Sequence, residues 1–249
     1  MYNMPGLIAR SVEIARDDGL VSLALSSKEY IYAKIKDQRL KYEYKKKYGD
    51  IAPRPDERLW IDPQNIDYTI SSEDMYEDNR EYPGFGILGG PWDQHKNYWR
   101  ESVVWAGLKE RFEEGKPWEE TSYYQFSMEK LKSGESIGYL DGPQTVENFE
   151  GYLDVLDELY KSLKQEGYDP SSVITVHVGR DGEWIASHGN HRRTIASIVG
   201  IESVLVRVKF RHRKWQDIRR RFYEADSIEE VRDVQQYLNH PDIPDVTSA

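Results

Sequence analysis

The regular spacing of apolar residues between positions 149 and 210 is the feature that most constrains the fold. Five apolar residues step by four and three positions and predict one face of a helix: Phe149, Leu153, Leu156, Tyr160 and Leu163. Gly167 suits the end of that helix, and Pro170 would stop it from continuing. The pattern therefore predicts a helix with a defined end.

A β-hairpin is predicted next. Apolar and polar residues alternate over positions 174–178, which indicates a half-buried strand. Asp181 and Gly182 form a turn dipeptide, so positions 184–187 are expected to return as the second strand.

The segment after the hairpin predicts a short helix over 192–199, ended by Gly200, and a third alternating strand over 204–210. The order is therefore helix, hairpin, glycine turn, helix and strand. This order predicts an α+β fold with a small mixed sheet and flanking helices.

The whole chain divides into three predicted regions. Pro53 and Pro55 indicate a linker after a helical N-terminal segment. The regions are a helical extension over 1–56, a main domain over 57–215 with a helical insertion at about 71–150, and a helical segment over 216–249.

Three further elements are predicted before the hairpin. Positions 59–70 begin with a strand pattern, and helices are expected over 98–114 and 118–131. The second of these helices is expected to bury three aromatic residues: Trp118, Tyr123 and Phe126.

Composition excludes several classes of protein. The 249 residues are 38% hydrophobic and include 7 Trp, 18 Tyr and 6 Phe, which argues against general disorder. The absence of cysteine excludes disulfides, thiolate metal sites and cysteine nucleophiles. No apolar run approaches the length of a membrane span and no signal peptide is recognised, so a cytoplasmic location is expected. The net charge of −10 argues against a surface coated for nonspecific nucleic-acid binding.

The glycine turn at positions 189–192 carries the most informative polar residues. A helix N-terminus offers unpaired N–H groups to an anion, and Arg192 adds a planar fork for phosphate oxygens. His191 adds a donor whose charge would change near neutral pH, and Arg193 is expected to point outward. The predicted phosphate-binding residues are Gly189, Asn190, His191, Arg192, Arg193 and Thr194. The alternative is a strand–helix turn without a ligand.

A metal site made by protein side chains alone is not predicted. His188 and His191 are three residues apart and are an alternative pair of ligands, but no spacing supplies a third. The expected cofactor is Mg²⁺ with a nucleoside triphosphate or diphosphate, held by phosphates and a carboxylate.

The stretch from Leu156 to Val208 resembles the N-terminal domain of the ParB/sulfiredoxin superfamily. The matching features are a helix motif at Ser162 and Gly167, a hairpin turn at Asp181-Gly182, the phosphate-binding G-x-x-R turn at 189–192, and the strand at 204–208. Positions 61–70 match the first strand of that family more loosely.

The resemblance implies nucleotide binding. Sulfiredoxins have cysteine where this chain has Asn190, so sulfinic-acid reductase chemistry is excluded. The Gly-Asn-His-Arg turn is closer to sulfiredoxin-like proteins and free serine kinases than to partition proteins, which bind CTP and DNA. Those kinases carry Asp before the glycine, whereas this chain has His188.

Two other segments carry candidate residues. In the basic tract over 207–222, DNA contacts would come from Arg211, Arg213, Lys214 and Trp215, with the Trp215 ring on a base. This tract would alternatively line the nucleotide pocket or pair with acidic residues in 71–81.

In the glycine-rich loop over 84–93, Trp92 would stack on a base or sugar and Asp93 would act as a base or Mg²⁺ ligand. The alternative is a tight turn with a packed Trp92. Further candidate carboxylates are Asp62, Asp67, Glu135 and Asp141.

The favoured hypothesis is a Mg²⁺-dependent phosphotransferase or NTPase that acts on a small molecule. Arg192 and the turn backbone would hold a phosphate, His191 would stabilise the leaving charge, and an upstream carboxylate such as Asp93 would orient the acceptor. The alternative is a ParB-like CTP- or DNA-binding module, or a nuclease-like protein, without small-molecule chemistry.

Overall fold

The computed structural model describes residues 19–71, 75, 84–137 and 145–243, with side chains described from residue 34 onward. These residues form two compact units, one of residues 19–55 with 84–85 and one of the remainder. The division at Pro55 and Asp56 lies one residue from the predicted boundary. The predicted C-terminal segment from residue 216 lies within the second unit as far as it is described.

The first unit is built on one long helix. Helix α1 spans Gly19–Tyr48 and is followed by a 3₁₀ turn over Gly49–Ile51. The Tyr44 and Phe85 rings meet in an edge-to-face arrangement with 6.1 Å between centroids. The lysines near the end of α1 are exposed, as expected for a helix that keeps its charges in water: Lys41, Lys45, Lys46 and Lys47.

The second unit contains a mixed seven-stranded sheet. The strands are β1 (Arg58–Ile61), β2 (Tyr68–Thr69), β3 (Gly86–Leu88), β4 (Asn97–Tyr98), β5 (Ile174–Val178), β6 (Trp184–His188) and β7 (Val204–His212). Their spatial order is β1-β7-β5-β6-β2-β4, and β3 also pairs with β7. The β5–β7, β2–β6 and β3–β7 pairs are parallel and the others antiparallel. The predicted α+β class with a mixed sheet is confirmed.

Five helices accompany this sheet among the described residues. They are α2 (Val103–Phe112), α3 (Ser122–Lys132), α4 (Val146–Glu166), α5 (Asn190–Val199) and α6 (Arg213–Glu224). Shorter 3₁₀ segments cover Trp92–His95, Trp118–Glu120 and Ile228–Tyr237. None of the described helices is long and apolar enough to cross a membrane.

The main core lies between the sheet and helices α2 to α5. Phe149, Leu153, Leu156 and Leu163 of α4 are buried there, so the spacing that predicted this helix is confirmed. Gly167 ends α4 with a φ of 81°, as predicted. The inward residues Ile174, Val176 and Val178 of β5 join the same core.

Three sequence expectations, two about burial and one about the bounds of a helix, are wrong. Strand β5 is buried on both faces rather than half-buried, because Trp92 and Phe210 cover His177 on the second face. Phe126 is 40% exposed because it faces away from the core that holds Tyr123. The helix predicted over 98–114 is limited to Val103–Phe112, since Ser102 accepts a hydrogen bond from Trp105 N and caps its start.

Gly107→Ala is expected to lower the free energy of unfolding by about 1–3 kcal/mol, as overpacked cores do. An added Cβ would lie 2.2 Å from Tyr123 Cβ and 2.7 Å from Tyr123 N, so α2 and α3 would have to separate. Urea unfolding followed by circular dichroism measures the loss. The control is Gly151→Ala on α4, which has open space around it and should not be destabilised. Equal stability of the two variants would contradict the close approach.

Candidate phosphate-binding turn

The predicted glycine turn joins β6 to α5. Gly189 has a φ of 84°, in the left-handed region that glycine adopts readily, and precedes the first helical residue, Asn190. A Cβ at this position would lie 3.1 Å from Ile174 Cγ1, so the turn packs against the start of β5. No side chain caps α5, and the first N–H groups of a helix have no intrahelical acceptor. The turn therefore offers backbone donors to an external acceptor.

Arg192 lies in the first turn of α5 and is half-buried. Its Nε atom is buried and has no hydrogen-bond partner among the described residues. Hydrogen bonds from Ser171 lower the pKa of Asp169, and the charge of Arg192 acts in the same direction. Burial raises the pKa values of Tyr152 and Tyr168, and Arg192 opposes both shifts. The charge of the Arg192 guanidinium thus acts on residues of α4 and of the loop after it.

His191 is enclosed by aromatic rings rather than exposed at the turn. Its Nδ1 atom is 2.9 Å from the Tyr152 hydroxyl, and its ring centroid is 5.8 Å from that of Tyr123. Burial lowers the pKa of His191 to about 4, so the imidazole is neutral at pH 7. The expectation that its charge changes near neutral pH is therefore wrong. Its Nε2 atom is buried and has no partner among the described residues.

Three of the predicted phosphate ligands are engaged in packing within the protein. Arg193 is 1% exposed, donates to the Ile66 carbonyl and lies over the Trp99 ring, so the expectation that it points outward is wrong. Thr194 is buried, donates to Asn190 O and accepts from Trp99 Nε1 at 2.7 Å. Asn190 donates to Thr69 Oγ1 at 3.3 Å.

Asp93 lies at the other end of the hairpin. It is fully buried, and its carboxylate accepts from the Arg180 backbone N–H and guanidinium, with a shortest distance of 2.6 Å. Burial alone would raise the pKa of Asp93, but the hydrogen bonds from Arg180 and the nearby His212 outweigh it and lower that pKa. Because Arg180 precedes β6 and His191 follows it, the structure does not bring the two predicted catalytic residues together.

The basic tract also divides between interior and surface. Arg211 is buried and ion-paired with Glu57 and Asp242. Trp215 is fully buried and donates to Asp242 Oδ2 at 2.7 Å, so the expectation that it stacks on a nucleic-acid base is wrong. Arg213 and Lys214 are exposed. The proposed pairing of this tract with residues 71–81 lies largely outside the described residues.

The other candidate carboxylates have separate local roles. Asp62 caps Gln64 N, Asp67 pairs with Arg100 at 2.9 Å, and Glu135 pairs with Lys130. Asp141 lies outside the described residues. No three His, Asp or Glu side chains gather into a metal-binding group in the described part of the chain.

Sequence reasoning missed Asp169, the carboxylate within electrostatic reach of Arg192. The available signal is its position in the loop between α4 and β5, because the hairpin brings Gly189 back to Ile174, where that loop ends. A groove of about 430 Å³ lies elsewhere, beside Asp181, Trp184 and Tyr237. It is at the opposite end of the hairpin from Gly189.

Comparison of the chain with protein-family models, curated proteins and solved structures finds no match.

Proposed function

We propose that this chain binds the phosphates of a nucleotide at the start of α5, in the manner expected of the ParB/sulfiredoxin superfamily. The observation that supports this most directly is Arg192, whose buried Nε atom has no partner among the described residues beside an uncapped helix N-terminus. Buried donors are normally paired, and a guanidinium beside free N–H groups matches a phosphate. The order of helix, hairpin, turn, helix and strand is consistent with the resemblance.

Mg²⁺-assisted phosphoryl transfer or nucleotide hydrolysis is the chemistry that we propose for this site. Since the described residues contain no ready-made metal cluster, Mg²⁺ would be held mainly by the nucleotide phosphates. Asp169 is a candidate second ligand because the charge of Arg192 acts on its carboxylate. Mg²⁺ would supply charge neutralisation at the transferred phosphoryl group.

His191 would act as a neutral residue in this proposal. If Tyr152 donates to Nδ1, the proton of the imidazole is on Nε2, which then becomes a free donor. Tyr152 would therefore set the tautomer of His191. Asp93 has no part in the proposed site, because Arg180 holds its carboxylate at the other end of the hairpin.

The DNA-binding module is less well supported as an alternative. Two of the four residues predicted for it, Arg211 and Trp215, are buried and bonded to Asp242. The exposed pair Arg213 and Lys214 offers charge without an aromatic platform from Trp215.

Nucleotide binding is expected to raise the melting temperature of the wild-type chain. A ligand at about 100 times its Kd stabilises a protein by about 2.7 kcal/mol, which corresponds to roughly 5–10 °C for a chain of this size. The measurement is a thermal-shift panel of ATP, ADP, CTP and GTP with and without Mg²⁺. Arg192→Ala should abolish the shift, whereas Lys214→Ala, which removes an exposed cation on α6, should retain it.

The outcomes of these measurements distinguish nucleotide binding from nucleotide hydrolysis. A shift lost only in Arg192→Ala supports the phosphate site, and phosphate release from that nucleotide then tests for hydrolysis. The absence of any shift, or an equal shift in Arg192→Ala, would overturn the proposed site.

A further inference from the structure

A row of basic residues crosses the second face of the sheet, the face that also holds His177. Arg58 on β1 lies opposite Arg207 on β7, Arg207 lies beside Thr175 on β5, and Thr175 lies opposite His188 on β6. Residues in such register share one face of a sheet, and four strands span about 14 Å. We refer to Arg58, Arg207 and His188 as the basic row.

The two arginines of the basic row are exposed. Neither Arg58 nor Arg207 forms an ion pair with the described residues, and Arg207 Nη2 donates only to Thr175 Oγ1, at 3.1 Å. Burial lowers the pKa of His177, and Lys209, His188 and Arg207 act in the same direction. Burial lowers the pKa of Lys209, and Arg207 lowers it further. Arg58 and Arg207 thus place two exposed positive charges side by side in a chain with a net charge of −10.

An exposed tryptophan adjoins the two arginines. Trp60 follows Arg58 by two residues on β1 and is therefore on the same face. It lies opposite Leu205 and is 50% exposed. Its ring meets Tyr168 at 5.9 Å in an edge-to-face arrangement, and the Tyr168 hydroxyl donates to Leu205 O at 3.2 Å. Trp60 is thus supported by one aromatic neighbour, while half of the residue's surface remains exposed.

We propose that Trp60 and the basic row form a binding surface for single-stranded nucleic acid. A base would stack on Trp60, and the neighbouring phosphates would contact Arg58 and Arg207. A single strand fits this surface better than a duplex, because bases in a duplex are already stacked on one another.

This surface adjoins the proposed nucleotide site, since His188 precedes Gly189 and Tyr168 precedes Asp169. The three residues that carry the proposal, Trp60, Arg58 and Arg207, lie on β1 and β7, outside the turn at 189–192. An acidic peptide would also satisfy the two guanidinium groups through its carboxylates. It would not need the exposed Trp60 ring, so the tryptophan distinguishes the two ligands.

The test is fluorescence anisotropy of labelled 12-nucleotide oligo-dT and oligo-U with the full chain at low salt. Trp60→Leu is expected to weaken binding tenfold or more, as removal of a stacking aromatic does. Trp60→Tyr should keep most of the affinity because it retains a ring. Phe126→Leu, which removes an aromatic residue exposed to a similar degree, should have no effect.

Salt dependence tests the two arginines. For two phosphate contacts on a single strand, the logarithm of the binding constant should fall with the logarithm of salt concentration with a slope of about −1.4. In the double variant Arg58→Ala/Arg207→Ala the slope should approach zero. The matched control is Arg213→Ala/Lys214→Ala, which removes two exposed cations from α6 and should leave the slope unchanged.

Three outcomes would overturn the proposal. The first is a Trp60→Leu variant that has a native circular dichroism spectrum and binds the oligonucleotide with unchanged affinity. The second is duplex DNA that displaces the labelled oligonucleotide better than an unlabelled single strand does. The third is polyglutamate that displaces the labelled oligonucleotide as well as the unlabelled oligonucleotide does. The last outcome would assign the surface to an acidic peptide. Arg192→Ala should bind the oligonucleotide within twofold of wild type, so the failure of one proposal does not imply the failure of the other.

Discussion

Asp242→Ala is expected to lower the free energy of unfolding by about 3–5 kcal/mol, as the loss of one partner from a buried ion pair does. Asp242 accepts from Arg211 Nε and Trp215 Nε1, each at 2.7 Å, and its backbone oxygen accepts from Arg219. Burial alone would raise the pKa of Asp242, but Arg211 and Arg219 outweigh it and lower that pKa to about 2. Removing the carboxylate would leave buried guanidinium charge with Glu57 as the remaining partner.

The measurement is urea unfolding of the full chain at pH 7. Asp233→Ala is the matched control, because its ion pair with Arg221 is largely exposed and surface pairs contribute little. Asp242→Asn should fall between the wild type and Asp242→Ala, since the amide keeps a hydrogen-bond acceptor without the charge. A stability of Asp242→Ala equal to that of Asp233→Ala would show that the buried network is not needed for folding.

Acidification from pH 7 to pH 5 is expected to lower the free energy of unfolding by about 4 kcal/mol. Burial lowers the pKa of His177 to about 3, with Lys209, His188 and Arg207 acting in the same direction, and burial lowers the pKa of His191 to about 4. The unfolded chain has histidine pKa values near 6.5 and therefore binds protons at His177 and His191 that the folded chain does not. Burial lowers the pKa of His240 as well, so this histidine adds to the loss. Stability is fully present above pH 6.5 and falls by about 1.4 kcal/mol per unit and per histidine below it.

The variants His177→Phe and His191→Phe should each remove about 2 kcal/mol of this loss. Urea unfolding at pH 7, 6 and 5 measures it. Asp93 and Asp242 do not contribute in this range, because their lowered pKa values affect stability only near pH 4 and below. An unchanged pH dependence in the double variant would show that the two imidazoles are not buried in their neutral forms.

The predicted elements that are confirmed are those specified by neighbouring residues. Helix α4, the turn at Asp181-Gly182 and helix α5 each depend on spacings of a few residues. The apolar residues of β7 also alternate locally, although the strand continues two residues beyond Phe210. Short edge strands such as β2 and β4 have two residues each and no pattern long enough to detect.

The site residues show where a prediction from neighbouring residues in the sequence fails. The start of α5 at the glycine turn was predicted because it depends on residues close together in sequence. The burial of Arg193 was not, because it depends on Ile66 and Trp99, which are distant in sequence. Trp60 and Arg58 do carry a signal, since they alternate with the more buried Leu59 and Ile61 on one short strand.

The sequence by itself determined the α+β class, the order of elements from α4 to β7 and the position of the glycine turn, because periodicity and turn chemistry act over a few residues. Only the tertiary structure decided which polar groups remain available to a ligand. Asp93 is held by Arg180, and Trp215 and Arg211 by Asp242, across 87, 27 and 31 positions of sequence. A buried charge or donor requires a partner, and the fold alone brings these partners together.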